Sequence, residues 1–242
     1  MLAVFEKATG NPPEELRLPS VGLDSDGKGT REEILQTFRL LWPESTFYHL
    51  SNGNFMTLSH GAQSPLHPRY SKFILLDIWR HYGLSRQATE AMLVVDAYKV
   101  LRDRAPYPPD QVIKDLEGKF AFIIFDAKSG TLFVARDREG SIQLKWGMAG
   151  DGSLVLSDDP NTIEKACGKS SASFPPGCIF MNGNGLISID HPLHKVKAIA
   201  CQDDDGKICG VMFQVDLFTR LQSIPRNGSA ANWADTAIVE GD

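Results

Sequence analysis

The chain has 242 residues, 42% of them hydrophobic and 23% charged, with a formal net charge of −5 and a pI near 5.7. A compact chain of this length buries roughly 70–75% of its unfolded surface, so it requires no metal or disulfide staple. Mild acidity argues against a broad nucleic-acid footprint, and runs such as Phe73–Leu76 and Phe120–Phe125 are far too short to span a bilayer.

The opening MLAVFEKATG has neither a basic stretch nor a long apolar core, so a secretory signal is not expected. The chain is read as cytosolic, with the nucleus as a second compartment. Its four cysteines, Cys167, Cys178, Cys201 and Cys209, form no CxxC pair and are expected as free thiols. Asn227-Gly228-Ser229 is a formal glycosylation sequon that should be idle there.

Leu2–Phe5 reads as a strand. Pro12-Pro13-Glu14-Glu15 reads as the first turn of a short helix, since Pro fits N1 and acids suit the positive helix end. Asp24–Gly29 is a polar loop. Thr30 with Glu33 forms a capping-box pattern, and Ile34, Leu35, Phe38 and Leu41 make one apolar helical face that Pro43 ends. Phe47–Leu50 and Phe55–Leu58 flank Asn52-Gly53, a hairpin turn by its chemistry. Gly61–Arg69 is a loop. Tyr70–His81 is consistent with strand or helix, and helix is preferred.

A long helix is predicted from Ser85 to about Arg104, and a short one from Asp110 to Glu117, closed by Gly118. Strands follow at Phe120–Phe125, Leu132–Ala135, Leu144–Met148 and Ser153–Leu156. Asp159-Pro160 opens a helix ending at Gly168. Cys178–Met181, Leu186–Ile189 and Lys207–Val215 complete a strand-rich half with Asn-Gly and Asp-Gly turns. The expected class is α+β, with sheets covered by helices. One domain is expected over 1–224, followed by a polar tail over 225–242.

Tyr82-Gly83-Leu84 precedes the long helix and Leu101-Arg102-Asp103-Arg104 ends it. With Met1–Phe5, Ala105–Pro108, Asp115–Phe122 and Ala230–Trp233, these motifs resemble the plant family of aluminium-induced proteins with YGL and LRDR motifs, also called stem-specific proteins. That family is in turn similar to the glutaminase domain of asparagine synthetase. The residues shared are Leu116–Phe122, Ala135-Arg136-Asp137 with Gly140, Trp146-Gly147 and Phe174-Pro175-Pro176-Gly177. The resemblance implies a class II glutamine amidotransferase-like domain. It also implies a four-layer αββα sandwich of the N-terminal-nucleophile hydrolase type, from which the short segment Arg69–His81 is expected to drop the strand and turn that carry the oxyanion donors. Fold alone does not settle function.

An active class II enzyme uses a processed N-terminal cysteine, with its own α-amine as base. Here the matching position is Leu2, which has no nucleophilic atom, and a bulky second residue disfavours removal of Met1. Active relatives hold an oxyanion pair on a turn after a Pro-Leu loop, and each such donor lowers the barrier by roughly 3–4 kcal/mol. Pro65-Leu66 matches the loop, but the segment from Arg69 to His81 is shorter than in relatives. No Arg lies between Trp42 and Pro68 to clamp the glutamine carboxylate. Thr89-Glu90 stands at an Asp-Glu position, so a hydroxyl replaces the carboxylate for the substrate amine. Loss of catalysis is therefore expected, with Leu2 and Thr89 as degenerate positions.

Other chemistry is weaker. Arg102, Arg104, Arg136 and Asp137 are the candidates for binding a small anion or amino acid, since Arg forks match carboxylate and phosphate. Against this, the first two suit a helix C-terminus and the second two match a structural turn. Gly168-Lys169-Ser170 fails as a P-loop because position 163 is Ile163. His191-Pro192-Leu193-His194 has no third zinc ligand near it, and Asp203–Gly206 lacks the distal Glu of a calcium loop. Cys178 reads as a small core residue. No cofactor and no metal are expected. The expected partner is an unidentified protein, with a homodimer also in view, and no nucleic acid or membrane span.

Overall fold

Leu2–Phe5 carries four apolar side chains in a row, a pattern that suits a strand covered on both faces. In a computed structural model of the chain it is strand β1, fully buried, and its alternating side chains feed two separate cores. The structure describes residues 1–17, 29–59, 75–77, 94, 98–99, 103, 109–114, 116, 118–202, 204 and 208–220.

After β1 come α1 (Lys7–Gly10), a 3-10 turn (Glu14–Leu16), α2 (Arg31–Leu41), β2 (Ser45–His49), β3 (Phe55–Ser59), β4 (Leu75–Asp77) and α3 (Pro109–Lys114). The remaining elements are β5 (Ala121–Asp126), β6 (Thr131–Arg136), β7 (Lys145–Met148), β8 (Leu154–Ser157), α4 (Pro160–Cys167), β9 (Ser171–Ser173), β10 (Cys178–Met181), β11 (Gly185–Ser188), β12 (His194–Gln202) and β13 (Ile208–Arg220). One sheet has the order β2-β3-β1-β8-β7-β9 and is antiparallel. The other has the order β13-β12-β11-β10-β6-β5-β4 and is antiparallel except for the β4–β5 pair.

The main core fills the space between the sheets. Trp146 stands at its centre, with Phe174, Phe213 and Phe180 at ring distances of 4.9, 5.1 and 5.4 Å. On the outer face of the first sheet, Ile34 and Phe38 of α2 and Ile163 and Ala166 of α4 pack over Leu2, Val4 and Val155. On the outer face of the second, Tyr98 and Ile113 cover Phe122, Phe133 and Ile179, and Val94, Tyr98 and Ile113 all lie in helical segments. Helices, sheet, sheet and helices thus form the layers of an α+β sandwich. Among the described residues no helix is long and apolar enough to cross a membrane.

Local signals hold where they are self-contained. Thr30 and Glu33 form the capping box, Glu33 accepting from the Thr30 amide at 2.7 Å. Asn52 and Gly53 turn the β2–β3 hairpin with φ of 60° and 71°. Asp159 caps α4, accepting from Thr162 N at 3.1 Å.

Three expectations are corrected. The described part of Tyr70–His81 is a strand, β4, and not helix, because parallel pairing with Ile123–Phe125 satisfies its backbone. A short apolar run cannot be assigned by periodicity alone. The helix opening near Asp110 is α3 and ends at Lys114, before Glu117. Strand β12 was not anticipated, since Lys and Ala are poor strand formers; its cross-strand pairs from Val196↔Val215 to Cys201↔Gly210 hold it extended. The predicted loop Gly61–Arg69, most of the helix from Ser85 to Arg104, Tyr82-Gly83-Leu84 and the tail 225–242 lie outside the described residues.

Candidate functional site

Strand β1 lies inside the first sheet, between β3 and β8, with Leu2 directly opposite Thr57 and Ser157. Leu2 is 0% exposed and its side chain belongs to the core beneath α2 and α4. Met1 turns the other way, into the core between the sheets. Its α-amine donates to Asp158 Oδ1 at 2.6 Å, and its carbonyl accepts from Ser157 Oγ at 2.6 Å. Ser157 Oγ also accepts from the Asp159 amide at 3.1 Å, which links this end of β1 to the cap of α4. The atoms at the head of β1 are therefore an aliphatic side chain and an amine held by a carboxylate. Leu2 offers no nucleophilic atom at this point. Beside them, Thr57 Oγ1 is fully buried and finds no hydrogen-bond partner among the described residues.

The motifs shared with the glutaminase domain meet at a different place. Arg136, at the end of β6, is 7% exposed. Its guanidinium donates to the carbonyls of Phe174 at 2.6 Å, Ile142 at 2.7 Å and Gly140 at 2.7 Å, and to Ser173 Oγ at 3.3 Å. Burial lowers its pKa and the charge of Asp137 opposes that shift. Asp137 accepts from the amides of Ser141 at 3.0 Å and Phe120 at 3.1 Å, while its carbonyl accepts from Gly177 N at 2.8 Å. Gly140 has φ of 63°, and a methyl group there would stand 3.2 Å from both the Arg136 guanidinium and Pro176. Phe120, Arg136-Asp137, Gly140, Trp146, Phe174 and Gly177 thus form one knot around the buried Arg136 and Asp137. It fastens β5 and β6 to the segment before β10. Four of the five guanidinium N–H directions are spent on it.

Of the other sequence candidates, Thr89, Arg102 and Arg104 lie outside the described residues. Cys178 is fully buried at the start of β10, where burial, and then the charge of Asp190, push its thiol up to about 12. A buried thiol whose pKa is raised lacks the thiolate character of an activated nucleophile. His191 and His194 place their rings 5.8 Å apart, edge to face, and His194 Nδ1 lies 3.1 Å from the Asp216 carbonyl. Among the described residues no group of His, Cys, Asp and Glu could hold a metal ion. Sequence reasoning missed Ser157 and Asp158; the only signal was their place just before the Asp159-Pro160 helix start.

A family model described as aluminium-induced protein matches residues 2–215. The chain belongs to the aluminium-induced protein family. Within reach of that family, the stem-specific protein TSJT1 of Nicotiana tabacum is 58% identical over 150 residues, covering 56% of this chain and 100% of that protein. A probable glutamine-hydrolysing asparagine synthetase of Dictyostelium discoideum is 35% identical over 71 residues. The match covers 29% of this chain and 13% of the synthetase. The asparagine synthetase of Brassica oleracea is 35% identical over 72 residues, or 29% of this chain and 12% of its own length. The chain therefore spans only a small part of those synthetases. This similarity supports a glutamine amidotransferase-like domain in the family member described here.

Proposed function

We propose that the chain is a glutamine amidotransferase-like protein that has given up amide hydrolysis and works by protein contact, in stress or hormone responses of the cytosol and nucleus. Its domain is read as residues 1–224, of the N-terminal-nucleophile type, with 225–242 as an appended tail. The observation that carries this reading is Leu2: an aliphatic, fully buried side chain at the head of β1, behind an α-amine paired with Asp158. An attacking sulfur and a free amine are both needed at that point for the family of active enzymes. The alternative of a small-molecule sensor is less supported, because the guanidinium of Arg136 is engaged with main-chain carbonyls inside the fold.

The test is ammonia release from L-glutamine by the purified chain, together with intact-mass measurement of its N-terminus. No release above buffer, with Met1 retained, is the expected result. Steady ammonia release, or a matured terminus exposing Cys, Ser or Thr, would overturn the reading.

A further inference from the structure

Asn-Gly occurs four times in the chain, at Asn52, Asn182, Asn184 and Asn227, and the last of these lies outside the described residues. The pair is chemically labile because glycine puts no side chain in front of its own nitrogen. That nitrogen, on losing its proton, can bond to the side-chain carbonyl carbon of the asparagine. The bond from that carbon to the amide nitrogen then breaks, ammonia leaves, and a five-membered succinimide remains. Water opens the ring to aspartate, or to isoaspartate, in which the main chain runs through the side-chain carboxyl. Inside a fold the rate depends on whether the side chain is free to swing over the peptide bond that follows it.

Asn182 is not free to do so. Its side-chain nitrogen donates to the carbonyls of Gly130 at 2.7 Å and Thr9 at 2.9 Å, and its side-chain oxygen accepts from the Leu132 amide at 3.3 Å. Its own carbonyl accepts from Asn11 Nδ2 at 2.7 Å. Cyclisation would break all three side-chain bonds at once and cut α1 loose from the turn between β5 and β6. Asn52 is exposed, but it sits in the left-handed region with φ of 60° and ψ of 33°. At that ψ the Gly53 nitrogen stands nearly trans to the Asn52 Cβ, whereas the ring needs the two nearly eclipsed. Asn184 has neither restraint. It is exposed, its φ is outside the left-handed region, and its side chain is held only by a weak contact to Met181 Sδ at 4.0 Å. Crowding does not separate the two neighbours, since a methyl group on Gly183 or on Gly185 would meet nothing within 4 Å. Gly185 pairs with Met181 at the last rung of the β10–β11 ladder, where strands open most readily.

We propose that Asn184-Gly185 is a spontaneous modification site of the folded chain: Asn184 loses ammonia and becomes isoaspartate and aspartate, while Asn182, in the same dipeptide two positions earlier, is preserved. The product carries a new negative charge and, as isoaspartate, one extra methylene in the main chain of the β10–β11 turn. That turn is then a substrate for a carboxyl methyltransferase specific for isoaspartyl residues, the methyl group passing from the sulfonium of S-adenosylmethionine to the new carboxylate.

The test is ageing of the full chain in mildly alkaline buffer, followed by peptide mapping with fragmentation that places each converted residue. In the native chain Asn184 should convert about tenfold or more faster than Asn182, because three hydrogen bonds must open before Asn182 reacts. In guanidinium chloride the two rates should converge, since the dipeptides are alike and the fold no longer tells them apart. Asn184→Gln should remove the fast conversion from this turn, because the longer side chain would have to close a larger ring, and should leave the melting point near that of the parent. The isoaspartyl methyltransferase should label the aged parent on the peptide containing the β10–β11 turn and should not label that peptide in aged Asn184→Gln. Conversion of Asn182 as fast as Asn184 in the native chain, no product at Asn184, or a preference for Asn184 that persists in denaturant would overturn the proposal.

Discussion

Gly147 lies so close to Cys167 that a methyl group on its α-carbon would stand 2.8 Å from the cysteine Sγ. The same methyl would be 2.9 Å from the carbonyl of Ser170, so backbone as well as side chain closes the space. This explains the Trp146-Gly147 pair of the shared motif: the tryptophan fills the core between the sheets while the glycine lets α4 seat on β7. Gly147→Ala should cost about 1–3 kcal/mol or more by overpacking. Adding Cys167→Gly should return only part of that, because Ser170 stays in place. Urea unfolding of the two single variants and the double variant measures both numbers.

Arg136 should behave as a buried strut. Arg136→Ala leaves the carbonyls of Ile142, Phe174 and Gly140 without their donor, at a cost of about 3–5 kcal/mol. Arg136→Lys should recover little, since a point charge cannot replace a planar fork. A full rescue by Lys in thermal unfolding would show that charge alone matters.

Thr57→Val should be neutral or stabilising by up to about 1 kcal/mol, because the hydroxyl is buried without a partner and the two side chains are nearly the same shape. A clear loss of stability on denaturation would reveal a bond that the Thr57 hydroxyl makes.

Native-state alkylation at about pH 7 should label Cys201, which is half-buried, before Cys167 and Cys178, which are fully buried. Peptide mapping over time gives the order. Rapid labelling of Cys178 in the folded chain would contradict its raised pKa.

Alkaline pH should destabilise the fold beyond what surface charge explains. Burial raises the pKa of Tyr98 above its ordinary value, and that of Cys178 to about 12. A raised folded-state value means that the unfolded chain gives up its proton first. The stabilisation is complete below about pH 8.5, where the unfolded thiol is still protonated, and is lost as pH climbs toward 12. By pH 11 the loss through Cys178 should be on the order of 3 kcal/mol. Urea midpoints measured between pH 8 and 11 should fall, and less steeply in Cys178→Ala.

Signals confined to a few neighbouring residues were legible in the chain itself. Thr30 and Glu33 cap α2, Asn52-Gly53 turns a hairpin, and Asp159-Pro160 starts α4, because each bond closes within three or four residues. Strand β4 was not, because the distant β5 holds it extended, and β12 was not, because its Lys and Ala are poor strand formers that pairing with β13 overrides. At the candidate site, the absence of a nucleophile at Leu2 follows from residue type alone. The work of Arg136 does not, since nothing in its own neighbourhood tells that the Phe174 carbonyl returns to it from 38 positions away. Asp158 was invisible for the same reason: its partner sits 157 positions earlier.

That last separation bears on biosynthesis. β1 leaves the ribosome well before β8, one of its two ladder partners, the register running from Leu2↔Ser157 to Phe5↔Leu154. Until β8 has emerged, β1 can pair with β3 but keeps its second side open. Pairings this far apart slow folding, and an open strand of four apolar residues is a target for aggregation while it waits. The nascent chain therefore carries an apolar strand that waits for a partner made much later, and a chaperone that recognises short apolar strands is the natural guardian of that interval.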